Sequence, residues 1–453
     1  MTDRDDPYRI LTAVGPGTPM GNLFRRFWLP ALLSEELPKA DCPPIRIRIL
    51  CEDLVAFRDS NGRIGIVDAY CPHRRAPLFF GRNEQCGLRC VYHGWKFDVN
   101  GECVDIPNIV PPDNFAALKQ KASIKSYSVQ ESGGIVWVYM GPKELMPELP
   151  GMEWVELHEK QVKCSRWLHR SNWLQAAEGE IDTSHISFLH SKVNVGKDSP
   201  DWQRLAQDGA PQITLRETDY GFVYGSRRNF EGQYFWRVTQ WMLPMWSAVP
   251  RSIDDPILAG RAWVPIDDYT TTGFGYVYTT ERPLSTRDLE EVASGERFPP
   301  RSQKGTFRFA HGYVIDTYLP DANIGNDFLI DRDLQATSSF TGIFGVNEQD
   351  RALQESMLSI PGHAGIVDRS NERLVKSDLP IMIARRVLTR LAKDLAQGSE
   401  PKAVSSADQY GVRGIAKLSP IADFDEFMHA HANSMRAVEP SAGDERSSNL
   451  ASL

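Results

Sequence analysis

The sequence predicts an α+β protein, with a small antiparallel β domain followed by a larger domain whose antiparallel sheet is flanked by helices. Residues 45–70 alternate apolar and polar side chains on either side of an Asn-Gly turn, which is typical of a β-hairpin. Residues 210–280 are rich in aromatic and β-branched residues, which favours a multi-stranded sheet. Helical patterns occur at 172–190, 347–358 and 378–397.

The order of these patterns divides the chain into four parts. A second hairpin signal, at Gly133-Gly134, closes the small domain, and Pro-rich residues 146–152 lead into the larger one. The C-terminal tail is polar and rich in small residues, so we expect it to be mobile. The parts are an N-terminal segment that packs with the larger domain (1–45), the small β domain (46–150), the larger domain (151–436) and the mobile tail (437–453).

Composition excludes several classes of function. The 453 residues carry a net charge of −8, which argues against nucleic acid or an anionic membrane as a partner. No apolar run approaches the roughly 18 residues that a membrane span needs. The acidic N-terminus does not resemble a signal peptide, and seven cysteines are too few for a disulfide scaffold in a chain of this length. We therefore expect a reducing, cytoplasmic location, where clustered cysteines bind metals.

Two mixed pairs of cysteine and histidine form the first metal motif. Cys71 and His73 lie two residues apart, and Cys90 and His93 lie three apart. This ligand set matches a Rieske [2Fe–2S] centre, in which two histidines replace two cysteines on one iron. The alternative is a zinc site, but zinc fingers pair cysteine with cysteine and place the histidines on a helix. The spacing therefore favours the cluster.

The second motif lies in residues 172–190. Asp182, His185 and His190 can supply ligands of a 2-His-1-carboxylate iron site. The histidines are five residues apart, about 140° around an ideal helix, so the helix must break or bulge between them to bring both to one ion. The simpler interpretation is a surface helix with scattered polar residues.

Together the motifs resemble those of a known family. Three motifs resemble those in the α-subunits of the Rieske non-haem iron oxygenases that hydroxylate aromatic rings. They are C-P-H-R at 71–74, C-x-Y-H-G-W at 90–95 and N-W-x-Q-x-x-E-x-x-x-D-x-x-H-x-x-x-x-H at 172–190. The run VNEQDRALQES that begins at 346 is similar to their phthalate-dioxygenase-like group. The resemblance implies a Rieske [2Fe–2S] domain and a catalytic domain with one mononuclear Fe²⁺.

The resemblance also implies roles for individual residues. The third iron ligand would be Asp350, with Glu348 and Asp333 as rivals. Asp182 would accept a hydrogen bond from His185 and face a Rieske histidine, His93, of a neighbouring subunit. The subunits would form a ring trimer or stacked trimers, in which electrons cross the subunit boundary through Asp182. Asn172 occupies the position of the family's active-site asparagine.

Function and partners follow from the same resemblance. The protein would be a terminal oxygenase that adds oxygen from O₂ to an aromatic substrate, by cis-dihydroxylation or monooxygenation. No nucleotide-binding motif is evident, so electrons would come from a separate NAD(P)H-dependent reductase with flavin and iron–sulfur groups. The substrate would be an aromatic carboxylic acid such as a phthalate or a substituted benzoate. The candidates to bind its carboxylate are Arg228 and Arg237, and the alternative is that both are solvent-facing strand residues. The alternatives are O-demethylation, diaryl-ether cleavage, and a simple Rieske electron carrier.

Overall fold

The computed structural model describes residues 8–110, 115–191, 204–205, 207–253 and 255–437. It confirms the predicted α+β fold, with a small region and a larger region whose strands pair antiparallel. The predicted mobile tail lies, from residue 438 onward, outside the described residues. In the described part of the chain, no helix combines the length and apolar character that crossing a bilayer requires.

The strands of the small domain that lie in the described ranges number ten. They are β1 Trp28–Leu33, β2 Ile45–Ile49, β3 Glu52–Arg58, β4 Ile64–Asp68, β5 Arg82–Glu84, β6 Gly87–Arg89, β7 Lys96–Phe97, β8 Cys103–Asp105, β9 Ser126–Ser132 and β10 Ile135–Tyr139. One sheet has the order β1-β10-β9-β4-β3-β2 and the other the order β5-β6-β7-β8. The predicted hairpins are β3–β4 and β9–β10.

The N-terminal segment contributes to both domains. β1 pairs with β10, with Trp28 opposite Tyr139, so this part of the segment belongs to the small domain's sheet. The preceding residues contact the larger domain, since the carbonyl of Thr12 accepts a hydrogen bond from the side chain of Asn172. The sequence predicts that the whole segment packs with the larger domain. It does not reveal the pairing of β1, because an apolar run does not show which sheet a strand joins.

The larger domain contains a twisted antiparallel sheet and two small hairpins. Its strands are β11 Val162–His169, β12 Gln212–Thr218, β13 Gly221–Phe230, β14 Gln233–Met242, β15 Trp246–Ala248, β16 Leu258–Pro265, β17 Thr271–Tyr278, β18 Ser302–Arg308, β19 Val314–Pro320, β20 Ser359–Ile360, β21 His363–Val367 and β22 Ile415–Ser419. The main sheet has the order β11-β17-β16-β15-β14-β13-β12, and β22 pairs with the part of β14 that β15 does not reach.

Most of the described helices lie around this sheet, and the helix Phe115–Lys121 contacts β8 of the small domain instead. The helices are α1 Arg9–Thr12, α2 Pro19–Phe24, α3 Phe115–Lys121, α4 Trp173–Ile181, α5 Ile186–Leu189, α6 Thr286–Ser294, α7 Arg332–Thr337, α8 Val346–Gln354, α9 Leu379–Ala396 and α10 Phe424–Ala430. The predicted helices at 347–358 and 378–397 are α8 and α9. The predicted helix at 172–190 is two helices, α4 and α5.

Buried aromatic side chains join the two domains into one core. The rings of Trp137 in β10 and Trp246 in β15 lie 5.4 Å apart, and Trp154 stacks on Tyr276 of β17 at 4.7 Å. Each such ring pair stabilises the fold by about 0.5–1.5 kcal/mol beyond the contribution of its buried apolar area. The small domain is therefore held firmly against the sheet that carries α4.

Candidate metal centres

Three side chains bring donor atoms together in the larger domain. Nε2 of His185 lies 3.2 Å from Nε2 of His190, and Oδ1 of Asp350 lies 3.4 Å from the first and 3.2 Å from the second. Ligands at right angles around one ion, each at a metal–nitrogen length of about 2.1 Å, are about 3 Å apart. The three donors therefore fit neighbouring positions on one ion, with the opposite face open.

A break in the helical segment produces the histidine pair. α4 ends at Ile181, and Asp182 adopts an extended backbone conformation. Oδ1 of Asp182 accepts a hydrogen bond from the amide of Ser184 at 2.8 Å. An aspartate side chain that binds nearby amides in this way competes with helical hydrogen bonds. The break thus precedes His185, whereas the sequence had placed it between the histidines, which instead cap the two ends of α5.

Each histidine of the pair has a partner at its other ring nitrogen. Oδ2 of Asp182 lies 3.3 Å from Nδ1 of His185. Oε1 of Gln349 lies 2.7 Å from Nδ1 of His190, while the amide Nε2 of Gln349 donates to the carbonyl of Ile343 at 2.8 Å. Because Oε1 only accepts, Nδ1 of His190 carries the proton and Nε2 is free to bind a metal. Sequence reasoning missed Gln349, although it precedes Asp350 directly.

The electrostatics of this group also suit a cation. Burial disfavours charge on His185, but hydrogen bonds that its ring nitrogens donate to Asp182 and Asp350 raise its pKa to about 10. Burial would likewise raise the pKa of Asp350, but His190 and His185 hold it well below its usual range. The carboxylates therefore stabilise positive charge at the point where the donor atoms converge. A bound divalent cation would supply that charge.

The structure also separates Asp350 from Asp333 and Glu348, the two other acids considered as the third iron ligand. Among the described residues, the group of potential metal ligands in the larger domain is His185, His190 and Asp350. Asp333 is exposed on α7. Glu348 accepts a hydrogen bond from the amide of Arg301 at 3.3 Å. Asp350 lies one turn beyond the start of α8, beside the histidines.

The first metal motif forms two loops with the same hydrogen-bond pattern. The amide of Cys71 donates to the carbonyl of Ala76 at 2.9 Å, and that of Cys90 donates to Trp95 at 2.8 Å. In each loop the residue four positions after the cysteine, Arg75 or Gly94, has a positive φ and donates back to the cysteine carbonyl at 2.9 Å. The sequence thus folds two matching turns, each of which presents one cysteine and one histidine.

The side chains of these loops fit a [2Fe–2S] cluster. Cys71 and Cys90 are buried, and the rings of His73 and His93 lie 4.4 Å apart. Nδ1 of His73 is buried and has no hydrogen-bond partner among the described residues, which suits an iron ligand. Burial raises the pKa of Cys71 to about 12, so that its thiol needs a metal to become a thiolate. Trp95 stacks on His73 at 4.7 Å.

A cavity of about 250 Å³ opens beside the histidine pair. Asp182, His185, His190 and Asp350 line one part of its wall. Strands β11, β14, β16 and β17, residues 249–252 and the segment after α6 form most of the rest, with apolar side chains such as Val249, Val277 and Phe298. The volume and the mostly apolar wall suit a small aromatic molecule.

The structure places the predicted arginines differently. Arg237 lines the cavity and donates to the carbonyl of Pro250 at 2.9 Å. Arg228 is completely buried and is not part of the cavity wall. Its guanidinium donates to the carbonyls of Thr183 at 2.8 Å and Asp208 at 3.1 Å, and so fixes the loop before His185 to β13. The geometry gives Arg228 a structural role, and its predicted contact with substrate has no support in the cavity.

Asn172 is also not part of the cavity wall. It caps the N-terminus of α4 and accepts from the amide of Leu174 at 3.1 Å. Its Nδ2 donates to the carbonyls of Thr12 at 2.9 Å and Asp268 at 2.7 Å. Its hydrogen bonds support a capping role, and its predicted place at the catalytic iron stays a prediction.

Comparisons with known proteins agree with both metal motifs. Residues 27–128 match the Rieske [2Fe-2S] domain family, and residues 138–415 match the family described as LigXa C-terminal domain like. The chain is 40% identical over 411 residues to the 3-chlorobenzoate-3,4-dioxygenase oxygenase subunit of Comamonas testosteroni, covering 88% of this chain and 91% of that protein. It is 36% identical over 418 residues to the phthalate 4,5-dioxygenase oxygenase subunit of Pseudomonas putida, covering 88% and 89%.

Solved structures show the same fold at low sequence identity. NdmA of Pseudomonas putida CBB5 with caffeine has a TM-score of 0.56 and 17% identity, covering 86% of this chain and 96% of that one. Dicamba monooxygenase bound to dicamba has a TM-score of 0.54 and 15% identity, covering 82% and 98%.

A Rieske domain followed by a catalytic domain with a two-histidine, one-carboxylate group defines a Rieske non-haem iron oxygenase. This chain belongs to that family, as an oxygenase subunit of the phthalate-dioxygenase-like group. Its cofactors are a Rieske [2Fe–2S] cluster and a mononuclear iron, and oxygenase subunits of this kind work with a separate reductase or ferredoxin. The zinc-protein and simple electron-carrier alternatives do not explain the match across 138–415.

Proposed function

We propose that this protein hydroxylates an aromatic carboxylic acid, as the terminal oxygenase of a system with an NAD(P)H-dependent flavin and iron–sulfur reductase. The observation that carries the proposal is the cavity, which joins the histidine pair and Asp350 to a wall that is apolar yet contains arginines. The relatives named for 3-chlorobenzoate and phthalate support an acidic aromatic substrate. The cytoplasmic location stays a prediction from the sequence.

The metal ligands are part of the same proposal. Cys71, His73, Cys90 and His93 would hold the cluster, and His185, His190 and Asp350 would hold the iron. When bound, these groups would supply single electrons and a site for O₂ activation. Asp182 orients His185, and Gln349 fixes the protonated nitrogen of His190.

The chain's other contribution is to hold the substrate and exclude water. The apolar part of the wall removes the ring from solvent, and α4, α5 and α8 hold the ligands rigidly against it. Dihydroxylation would add both atoms of O₂ to the ring and consume two electrons and two protons. Monooxygenation would consume the same electrons and protons and release one atom of O₂ as water.

A ring of three copies is the proposed assembly. Phe188 of α5 and Phe340 contact each other with ring centroids 6.5 Å apart, and more than half of each side chain is exposed; we call this pair the iron-side surface. Phe80, Val91 and Tyr92 are similarly exposed beside the Rieske loops, and we call them the cluster-side surface. Contact between the cluster-side surface of one copy and the iron-side surface of the next would cover both.

O-demethylation is the second candidate. The chain is 30% identical over 406 residues to the 5,5'-dehydrodivanillate O-demethylase oxygenase subunit of a Sphingobium species, covering 87% of this chain and 81% of that protein. The two candidates differ in their products, since demethylation releases formaldehyde and ring hydroxylation does not.

Oxygen uptake by the loaded protein with a surrogate reductase tests the proposal. Benzoate, 3-chlorobenzoate, phthalate and methoxybenzoates would be compared with neutral aryl ethers, and products identified by mass spectrometry. We expect uptake coupled to hydroxylated aromatic acids. Uptake coupled only to neutral ethers, or formaldehyde release from methoxybenzoates without ring hydroxylation, would contradict it.

A further inference from the structure

Among the described residues, four arginines line the cavity, and three of them are already held by close polar contacts. Arg261 forms two hydrogen bonds to Glu180, at 2.8 and 2.7 Å, and its guanidinium lies 3.4 Å from the ring centre of Phe298. Arg251 pairs with Asp255 at 3.0 Å and with Glu291 at 2.5 Å. Arg237 donates to the carbonyl of Pro250. These contacts fix the three side chains as parts of the wall.

Arg297 makes the weakest contacts of the four. Its Nε lies 3.7 Å from Oε1 of Glu291, and its Nη2 lies 3.5 Å from the hydroxyl of Ser252. Glu291 is held more closely by Arg251, so its charge is shared between two guanidiniums. Burial and the neighbouring Arg251 lower the pKa of Arg297, although the carboxylates of Glu291 and Asp255 lie nearby and act in the opposite direction.

The backbone places Arg297 near the iron ligands. The amides of Val346 and Asn347, in the first turn of α8, donate to the carbonyls of Glu296 and Arg297 at 2.9 and 3.3 Å. Val346 and Asp350 are four residues apart on α8, and both line the cavity. Positions four apart are neighbours on one face of a helix. Arg297 is therefore attached to the helix that carries Asp350, and 37% of its side chain is exposed.

We propose that Arg297 binds the carboxylate of the aromatic substrate and so selects acids over neutral aromatics. Guanidinium and carboxylate can form two parallel hydrogen bonds, and the pairing is strongest where water is excluded. The bound carboxylate would supply the negative charge that Glu291 provides only in part. This inference rests on the proposed function, because it assigns a residue to its substrate class.

Equilibrium binding to the loaded protein tests this role. The probes are benzoate, 3-chlorobenzoate and phthalate, each compared with its neutral carboxamide by titration calorimetry. In Arg297→Gln we expect the Kd of the acids to rise by about 10- to 100-fold, the range for a charge-assisted hydrogen bond, and that of the amides by less than about threefold. Arg297→Lys keeps the charge but loses the second hydrogen bond, so it should recover part of the affinity.

Arg287→Gln is the matched control, because it removes the same charge from an exposed site on α6. It should bind every probe like the wild type. Unchanged acid affinity in Arg297→Gln, or equal losses for acids and amides with the cluster spectrum retained, would overturn the role of Arg297 and leave the proposed function standing. A wild type that binds amides as well as acids would overturn both the role and the substrate class. If Arg297→Gln fails to load its iron, the same comparison is made with Arg297→Lys.

Discussion

At the scale of single residues, His185 and His190 are each oriented by a different neighbour. One neighbour is charged and the other is neutral. Asp182 approaches Nδ1 of His185 with a carboxylate, and Gln349 approaches Nδ1 of His190 with a neutral amide oxygen. Such partners fix the tautomer and the basicity of a metal ligand, and their loss typically costs 10- to 100-fold in metal affinity or activity. The two neighbours can therefore be tested separately.

Gln349→Leu removes the acceptor at His190 but keeps a side chain of similar size. We expect ferrous iron affinity to fall by about 10- to 100-fold because Nε2 is no longer held free of its proton. Iron titration of the mononuclear site, with the Rieske absorption as an internal reference, measures this. Gln349→Glu retains an acceptor oxygen for His190 but loses the donor to the carbonyl of Ile343, so it should keep more iron affinity than Gln349→Leu. Full affinity in Gln349→Leu would show that the amide does not orient His190.

Asp182→Asn separates the charge of this residue from its role in the turn. The asparagine oxygen can still accept from the amide of Ser184, but its amino group would meet Nδ1 of His185. We expect turnover to fall by about 10- to 100-fold with the fold and the cluster intact. Steady-state oxygen uptake measures this loss. Asp333→Asn, at an exposed acid of α7, is the control and should retain full turnover.

At the scale of elements, a buried ionic cluster ties α4 to α9. Glu178 of α4 accepts from Arg385 of α9 at 2.6 Å and from Arg369 at 2.9 Å. Burial would raise the pKa of Glu178, but the two arginines lower it below its usual value. A lowered carboxyl pKa contributes stability that is present above the unfolded-state pKa and is lost as pH falls through the folded-state value.

Glu178→Gln should therefore destabilise the fold. We expect the free energy of unfolding at pH 7 to drop by about 3 kcal/mol, since Arg369 and Arg385 each lose a buried carboxylate partner. Urea unfolding measures the drop, which should stay constant from pH 8 to about 5 and shrink below pH 4.5 as the wild-type carboxylate protonates. Glu372→Gln removes a more exposed partner of Arg385 and should cost less than about 1 kcal/mol. Equal losses in both variants would contradict this account.

The Rieske loops depend on glycine at one position. Gly94 has a φ of +81°, and a Cβ there would lie 2.6 Å from Cγ of Pro107. Gly62, in the β3–β4 turn, has a φ of +79° with open space around it. Gly94→Ala should thus lose most of its cluster, whereas Gly62→Ala should cost about 1–2 kcal/mol of stability and keep it. Iron and acid-labile sulfide content distinguish the two, and equal loading would contradict a steric role for Gly94.

At the scale of the whole molecule, the two apolar surfaces predict association. Light scattering of the loaded protein should give three times the chain mass of 51.0 kDa. Phe340→Glu places a charge on the iron-side surface and should yield monomers that keep both metal sites. Leu289→Glu, on exposed α6, should remain trimeric. A monomeric wild type, or a trimeric Phe340→Glu, would contradict the proposed contact.

The sequence predicts most of this architecture because its strongest signals are local. The Cys–His spacings, the hairpin turns and the aromatic strands all depend on neighbours in the chain. Gln349 and Arg297 could not be predicted, because their roles arise where α8 meets α5 and the segment after α6. The sequence predicts that Arg228 contacts substrate, because the alternation along β13 does not reveal which loop covers each face of the sheet. In the structure, the loop before His185 covers the face that carries Arg228.

The central claim is that one chain holds two different iron sites with separate ligands. Iron and acid-labile sulfide analysis of His185→Ala beside the fully loaded wild type tests it most directly. We expect three irons and two sulfides per chain in the wild type, and two irons and two sulfides with an unchanged Rieske spectrum in the variant. A wild type with two irons or fewer, or a variant that keeps all three, would contradict it.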